Sequence, residues 1–339
     1  MEVKAPGVIK LFGEHAVVYG RNSMAVAVSR YARCSSERAA SDRLEITLRD
    51  MGGKSMSLSA DDLLRINARY RARKSISEYI AGSGIDLDFL PFATIAARLF
   101  AERSVDLLHR SVLVSSEIPV GSGMSSSASC FTAFTCLLLK DGGTRLPDAE
   151  AIDIARDGER ISHANEGAGS IDVSTAFYGG YVTFNKERGA RKEEIDVLIE
   201  LMLVNTGPKL STAVTVGRVA DLYRSDRGKA ERMLDEIDDC TLSGYAALRS
   251  GDLALVGKHM FRNHELLRQL GVSNDNLDKV VELSRANGAL GAKLSGGGGG
   301  GMAVVLGKAE SKGKLMKIFG KSGFDAFEAT PSMSGASGI

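Results

Sequence analysis

The sequence predicts a two-lobed α+β protein, and three observations lead there. The chain has 339 residues, more than one ordinary hydrophobic core supports, so two lobes are the default expectation. Strand-like and helix-like patterns alternate along it without an internal repeat. Its composition, 44% hydrophobic and 25% charged, is that of a globular chain able to bury such cores.

An apolar strand over residues 8–12 comes early in the chain. Helical patterns follow over 60–80 and 88–102, broken by Gly82-Ser83-Gly84. The cations between Arg65 and Lys74 read as a solvated helix face. A strand over 111–118 runs into a Ser/Gly-rich turn, and helices over 128–139 and 148–163 follow. After Gly179-Gly180, a strand over 181–185 gives way to the charged stretch 186–194. The lobes divide there, into residues 1–190 and 191–339. The second half carries an apolar strand over 197–204, several helices between Thr212 and Asn287, and a glycine run between two strands. A helix over 310–319 and a strand near 324–329 complete it. Residues 332–339 have little apolar content and are expected to fray.

The formal net charge of +1 gives no reason to expect nucleic acid or an anionic membrane as partner. The apolar stretch 128–139 is too short to span a bilayer. No apolar segment follows a basic start, so a cytoplasmic protein is expected. Cys34, Cys130, Cys136 and Cys240 form no C-x-x-C pair and read as buried, reduced thiols. His109, His163, His259 and His264 show no ligand-like grouping.

Three segments carry chemistry. The first is Pro119-Val120-Gly121-Ser122-Gly123-Met124-Ser125-Ser126-Ser127-Ala128, between a strand and a helix. Its glycines let backbone approach an anion, and the free N–H groups and dipole of the following helix favour negative charge. Its serines add hydroxyls for phosphate oxygens or a magnesium ion. It is neither a P-loop nor a dinucleotide fingerprint, since Ser126 stands where a third glycine would be. A turn capping a core helix fits the same residues equally well. The second segment is Lys4-Ala5-Pro6-Gly7-Val8-Ile9-Lys10-Leu11-Phe12-Gly13-Glu14-His15-Ala16-Val17-Val18-Tyr19-Gly20, a strand leading to two adjacent polar residues. The third is Ala292-Lys293-Leu294-Ser295 followed by the six glycines 296–301. So many glycines are costly to order, and flexible linkers seldom join two short buried strands.

Taken in chain order, 4–20, 119–128 and 292–301, the three segments resemble the motifs of the GHMP kinase superfamily, and most closely those of the mevalonate kinase family. The run 13–20, Lys293-Leu294-Ser295 with the glycines, Met260-Phe261-Arg262-Asn263-His264-Glu265-Leu266-Leu267 with Gly271-Val272-Ser273, and Asn205-Thr206-Gly207 to Ser211-Thr212 carry the likeness, which spans most of the chain. The resemblance implies a two-lobed GHMP kinase fold, with a ribosomal-protein-S5-like N-terminal lobe that binds ATP and a ferredoxin-like C-terminal lobe. It implies ATP- and Mg2+-dependent phosphorylation of the 5-hydroxyl of mevalonate, a small-molecule substrate, in a step toward isoprenoids. It admits a homodimer.

Carried over residue by residue, the resemblance puts the triphosphate on Pro119, Gly121, Ser122, Gly123, Ser125, Ser126 and Ser127, with Gly297 and Gly298 shaping the site. Ser127 and Glu159 hold magnesium, Asp172 is catalytic, and Glu14, His15 and Ser295 contact substrate. From the residues alone, Glu159 fits an exposed helical carboxylate, Asp172 a turn aspartate and His15 a core histidine. Two departures stand out. The spacing from Glu159 to Asp172 is longer than in the animal enzymes, which implies an enlarged loop around Asn165-Glu166-Gly167. The family's catalytic lysine directly follows Ala-Pro-Gly, where this chain has Val8. The nearest lysine is Lys10, on the same strand face about 6.6 Å further along. Its stem either reaches the catalytic site or snorkels to solvent. This departure leaves room for a phosphorylated mevalonate, such as the 3-phosphate, as substrate. A fold of this kind that senses ligands without turnover is a third reading, against which both Glu159 and Asp172 count.

Overall fold

The apolar run near the N-terminus extends further than its pattern suggested. It forms β1 (Glu2–Phe12), which pairs antiparallel with the long β2 (Ser23–Arg38). The computed structural model describes residues 1–119 and 123–336. In it β3 (Leu44–Leu48), β4 (Lys54–Leu58), β5 (Arg110–Ser116), β6 (Tyr181–Asn185) and β7 (Gly189–Glu193) join the same sheet. The strand order is β4-β3-β5-β2-β6-β7, with β1 on β2 outside that path. The charged stretch 186–194 therefore carries a sheet strand, and residue 190 lies inside β7.

The helices of this half are α1 (Ala60–Ala72), α2 (Ile76–Ser83), α3 (Leu90–Arg103), α4 (Ser126–Asp141), α5 (Asp148–Ser162) and α6 (Ser170–Tyr178). The helical pattern over 60–80 is two helices. Arg73 leaves helical geometry, and Ser75 starts the next helix by accepting a hydrogen bond from the Glu78 N–H. Serine is favoured there because its oxygen satisfies an N–H that has no partner inside the helix. Helix α1 is capped more fully, by a reciprocal pair between Ser59 and Asp62. The cations between Arg65 and Lys74 are exposed, as expected of a solvated face, except Arg73, which is half-buried. Arg69 donates to the Ser83 carbonyl and Arg73 lies 3.6 Å from the Tyr70 ring centroid.

A second, antiparallel sheet is built from β8 (Leu201–Asn205), β9 (Gly291–Leu294), β10 (Met302–Leu306) and β11 (Asp325–Ala329), in the order β11-β8-β10-β9. With it go α7 (Thr212–Ser225), α8 (Arg227–Ser250), α9 (Leu253–Gln269), α10 (Asp275–Ala286) and α11 (Ala309–Lys321). The predicted strand over 197–204 starts late, at Leu201.

Two large cores flank β1. Val8, with Ala5 and Ala25, packs among α3, α4, α5 and α6, while Ile9 and Leu11 join the side chains of the second sheet and of α8 and α9. The register of β1 against β2 slips between Lys10, opposite Ala25, and Phe12, opposite Met24. That irregularity lets both Leu11 and Phe12 face the second core. Helix α8 approaches Phe12 closely through Gly244, where a Cβ would lie 2.5 Å from the ring.

The C-terminal segment does not fray over its described part. Ser332 donates its N–H to the Ala27 carbonyl at 2.8 Å and accepts from the Gly180 N–H at 2.7 Å. Ala336 is buried in the first core. Backbone pairing with strand-edge groups of the first lobe replaces the apolar content that the segment lacks. Cys34, Cys130, Cys136 and Cys240 are all free thiols; Cys34 and Cys240 are buried, the other two half-buried. Among the described residues, no helix is long and apolar enough to cross a membrane.

Candidate active site

Four stretches far apart in sequence meet at one place: the end of β1 with the turn after it, the start of α4, the α5–α6 pair, and the loop between β9 and β10. Strand alternation puts Lys10 on the face of Val8, toward α6. Its Nζ lies 3.1 Å from Asp172 Oδ2. Ser125 donates its hydroxyl to the other oxygen of Asp172, Oδ1, at 2.7 Å. Asp172 sits in the first turn of α6, where the helix dipole favours a carboxylate. Burial works against its charge, but Lys10 and Ser125 prevail and its pKa falls below the usual carboxylate range. Lys10 is likewise opposed by burial, yet Asp172 raises its pKa above the ordinary lysine value.

Helix α6 is pressed against α5 at Gly169, whose Cβ would lie 2.5 Å from that of Glu159. The contact sets Glu159 beside the Asp172 end of α6. Glu159 is 4% exposed, not the exposed helical carboxylate its sequence context also fits. Its Oε2 lies 3.5 Å from His163 Nε2, and its Oε1 is buried without a hydrogen-bond partner. The hydrogen bond to Glu159 lifts the His163 pKa above the usual histidine value. Among the described residues no cluster of three or more His, Cys, Asp or Glu could hold a metal. Magnesium needs none, since it takes one or two protein carboxylates and completes its shell with phosphate oxygens and water. An unpartnered buried carboxylate oxygen on Glu159 and the half-buried Ser127 fit that donor set.

Helix α4 starts from Ser125, which is in the left-handed region at φ 52° and makes no side-chain cap bond. The first N–H groups of a sixteen-residue helix are thus left without a side-chain acceptor. Ser126 Oγ is 3.1 Å from Ser116 Oγ. Pro119 is exposed. Gly121 and Ser122 lie outside the described residues.

The loop between β9 and β10 is ordered by its own backbone. Gly299 donates to the Val272 carbonyl, Leu210 to the Gly299 carbonyl, and Thr206 to the Gly301 carbonyl. Glycines 298–301 are buried against these partners, and Gly296 and Gly297 are half-buried. Gly298 faces the Val272 carbonyl, at 2.1 Å from where a Cβ would be. Ser295 is also buried. Its Oγ accepts from the Lys10 N–H at 3.1 Å and lies 3.2 Å from the Lys10 carbonyl, so it clips the loop to β1. His15 Nε2 lies 3.0 Å from the Gly297 carbonyl. Burial lowers the His15 pKa to about 4, so the ring is neutral near pH 7 and Nε2 carries its proton toward that carbonyl. Glu14 is buried and ion-paired with Lys293, a fully buried residue of β9.

Lys10, Asp172, Glu159, Glu14, His15 and Ser295 therefore come together at one place, Lys10 turning toward Asp172 and not out to solvent. Three features escaped the reading of the sequence. Ser125 holds the aspartate, His163 touches Glu159, and Lys293 neutralises Glu14. Only Lys293 left a signal, a lone charge inside the apolar strand Ala292-Lys293-Leu294.

Comparison with known proteins agrees with this arrangement. Residues 92–180 match the GHMP kinases N terminal domain, and residues 245–321 match the GHMP kinases C terminal family. The mevalonate kinase of Archaeoglobus fulgidus is 30% identical over 311 residues, covering 91% of this chain and 93% of that protein. The crystal structure of the Methanococcus jannaschii mevalonate kinase superposes with a TM-score of 0.82 at 25% identity, covering 98% of each chain. That of the L. major mevalonate kinase in complex with R-mevalonate superposes at 0.75 with 26% identity, over 99% of this chain and 97% of the other. With its fold, its motifs in order and an archaeal relative matched over nearly its whole length, this chain belongs to the mevalonate kinase family of the GHMP kinases.

Proposed function

We infer that the chain transfers the γ-phosphoryl group of ATP to the 5-hydroxyl of mevalonate. One observation carries the reading furthest: Asp172, in the first turn of α6, is held between Lys10 and Ser125, the residue that opens the helix the motifs mark for phosphate, in a chain matching mevalonate kinases over nearly its whole length.

Phosphoryl transfer passes through a loose transition state, so positioning and charge stabilisation matter more than a strong base. Asp172 is suited to that work. Ionised at neutral pH, it accepts from Lys10 and Ser125 and still has lone-pair sites for the substrate hydroxyl. It orients that hydroxyl and takes its proton as the new O–P bond forms, while the electron pair of the breaking bond leaves with ADP. Lys10 keeps the aspartate charged and lends positive charge near the transferring group, the role the family gives to a lysine two positions earlier. The N–H groups opening α4 receive phosphate oxygens. Glu159 and Ser127 would hold Mg2+, which neutralises charge developing on the phosphoryl oxygens when bound. Glu14 and His15 contact the rest of the substrate. Ser295 and the buried glycines hold the strand and loop that carry these groups. The first lobe, in this reading, runs to the end of β7.

The test is a coupled ADP-release assay with mevalonate, mevalonate 3-phosphate, mevalonate 5-phosphate, homoserine and galactose. Mevalonate is expected to give the highest kcat/KM. A clear preference for a phosphorylated mevalonate would overturn the choice of substrate, and no turnover of any of them would overturn the kinase reading.

A further inference from the structure

The ion pair between Glu14 and Lys293 is out of reach of solvent. Lys293 is fully buried and Glu14 is 3% exposed. Lys293 donates from Nζ both to Glu14 Oε1 and to the Leu294 carbonyl. Glu14 Oε2 is buried and has no hydrogen-bond partner. As a device for stability this is a poor arrangement. Taking two charges out of water costs more than their attraction returns unless every remaining lone pair is satisfied, and apolar residues of similar volume would pack as well or better. Here one oxygen is left open.

The neighbourhood says what the open oxygen is for. Glu14 follows the strand that carries Lys10, and the two side chains are close enough for their charges to interact. The same turn is tied to the same loop twice more, through Ser295 to the Lys10 backbone and through His15 to the Gly297 carbonyl. Burial pulls the Lys293 pKa below the ordinary lysine range, while Glu14 acts to raise it. Glu14 is thus fixed at one end by a cation that has no other carboxylate partner among the described residues, and it lies near Lys10, whose ammonium pairs with the aspartate assigned to the reacting hydroxyl.

We propose that Lys293 is a positioning residue for the substrate: it turns and holds the Glu14 carboxylate so that Oε2 accepts a hydrogen bond from the hydroxyl that is not phosphorylated. The inference rests on the reading of the site as a kinase for a dihydroxy acid. The ligand class follows from the donor count. Asp172 engages one hydroxyl, and a buried acceptor-only oxygen calls for a second donor on the same small molecule. Mevalonate carries one, on its third carbon. Affinity for substrate is thereby linked to β9 and the glycine loop, which Lys293 and Ser295 anchor.

The experiment compares KM and kcat for mevalonate and for its 3-deoxy analogue in the parent enzyme, in Lys293→Met, and in the double variant Glu14→Met/Lys293→Met. The double variant removes both buried charges and keeps the fold testable where the single variant unfolds. Both variants are expected to raise KM for mevalonate roughly tenfold or more, with a smaller change in kcat. On the 3-deoxy analogue, parent and variants should agree within about twofold, because the interaction is already absent. A purely structural lysine would shift both substrates alike, and that result overturns the inference. So does a double variant that recovers the parent's KM for mevalonate. A parent enzyme that phosphorylates no mevalonate overturns the functional reading instead, and is seen before any variant is compared.

Discussion

At the scale of single residues, the Lys10–Asp172–Ser125 contact decides most of what the site can do. Replacing Asp172 with Asn leaves the shape nearly intact but removes the charge, the proton acceptor and one of the two oxygens that accept from Lys10 and Ser125. Turnover should fall by roughly 10²–10⁴, with ATP affinity by calorimetry unchanged; near-normal turnover would remove Asp172 from the mechanism. Lys10→Met tests the displaced lysine. Burial alone pushes the Asp172 pKa up, and Lys10 is the first of the groups that bring it below the usual range. Without Lys10 the aspartate binds a proton at higher pH, so the acid limb of the kcat/KM profile should move upward. The loss at pH 7 should reach about tenfold or more, equivalent to about 1.4 kcal/mol of transition-state stabilisation. An unshifted acid limb would show that Lys10 does not serve the aspartate.

At the scale of elements, the glycine loop is a packed structure and not a flexible tether. Gly300 has φ 120°, and a Cβ there would lie 2.1 Å from the Pro208 carbonyl oxygen. Gly271 also has positive φ, at 75°, but open space around its Cβ position. Gly271→Ala should therefore cost only the backbone penalty, about 1–2 kcal/mol. Gly300→Ala must in addition displace the segment before α7, and should cost more in urea unfolding and lower activity as well. Equal costs for the two substitutions would mean that the loop yields easily. The start of α4 makes a related point. Gly123 has φ 77°, yet the nearest atoms to its Cβ position are 3.7 Å away. Gly123→Val should be strained by backbone conformation more than by crowding, and should weaken nucleotide binding by disturbing the helix start.

For the whole molecule, two buried histidines predict how stability follows pH. His15 has its pKa lowered to about 4 by burial, and burial lowers that of His264 as well. His264 accepts from the Leu294 N–H at Nδ1 and meets Asp278 through Nε2, which suits the neutral ring. The unfolded chain binds these protons near pH 6.5, whereas the folded chain resists them until about pH 4. Stability should be full above about pH 6.5 and decline as pH drops toward 4, by on the order of 3 kcal/mol for a histidine shifted this far. Thermal melts at pH 7 and pH 5 check it: Tm should be lower at pH 5, and His15→Gln should flatten the difference. A Tm independent of pH over that interval would contradict the burial of both rings.

Local pattern made much of this protein legible. The periodicities around α4, α5 and β6, the glycine run between two strands, and the order of the motifs are properties of neighbouring residues, and neighbouring residues are what a sequence displays. Ser59 and Asp62, three apart, specify their own helix start. What tertiary structure alone decided are pairings across long separations. Lys10 and Asp172 are 162 residues apart, and Glu14 and Lys293 are 279 apart. No periodicity records such a meeting, because it depends on how two sheets and their helices pack around β1. The same holds for residues 332–336, the described part of the stretch whose low apolar content suggested a loose end. Their hydrogen bonds go to Ala27 and to strand neighbours that only the folded sheet provides. Residue type told which chemistry was available; the fold determined which groups would share it.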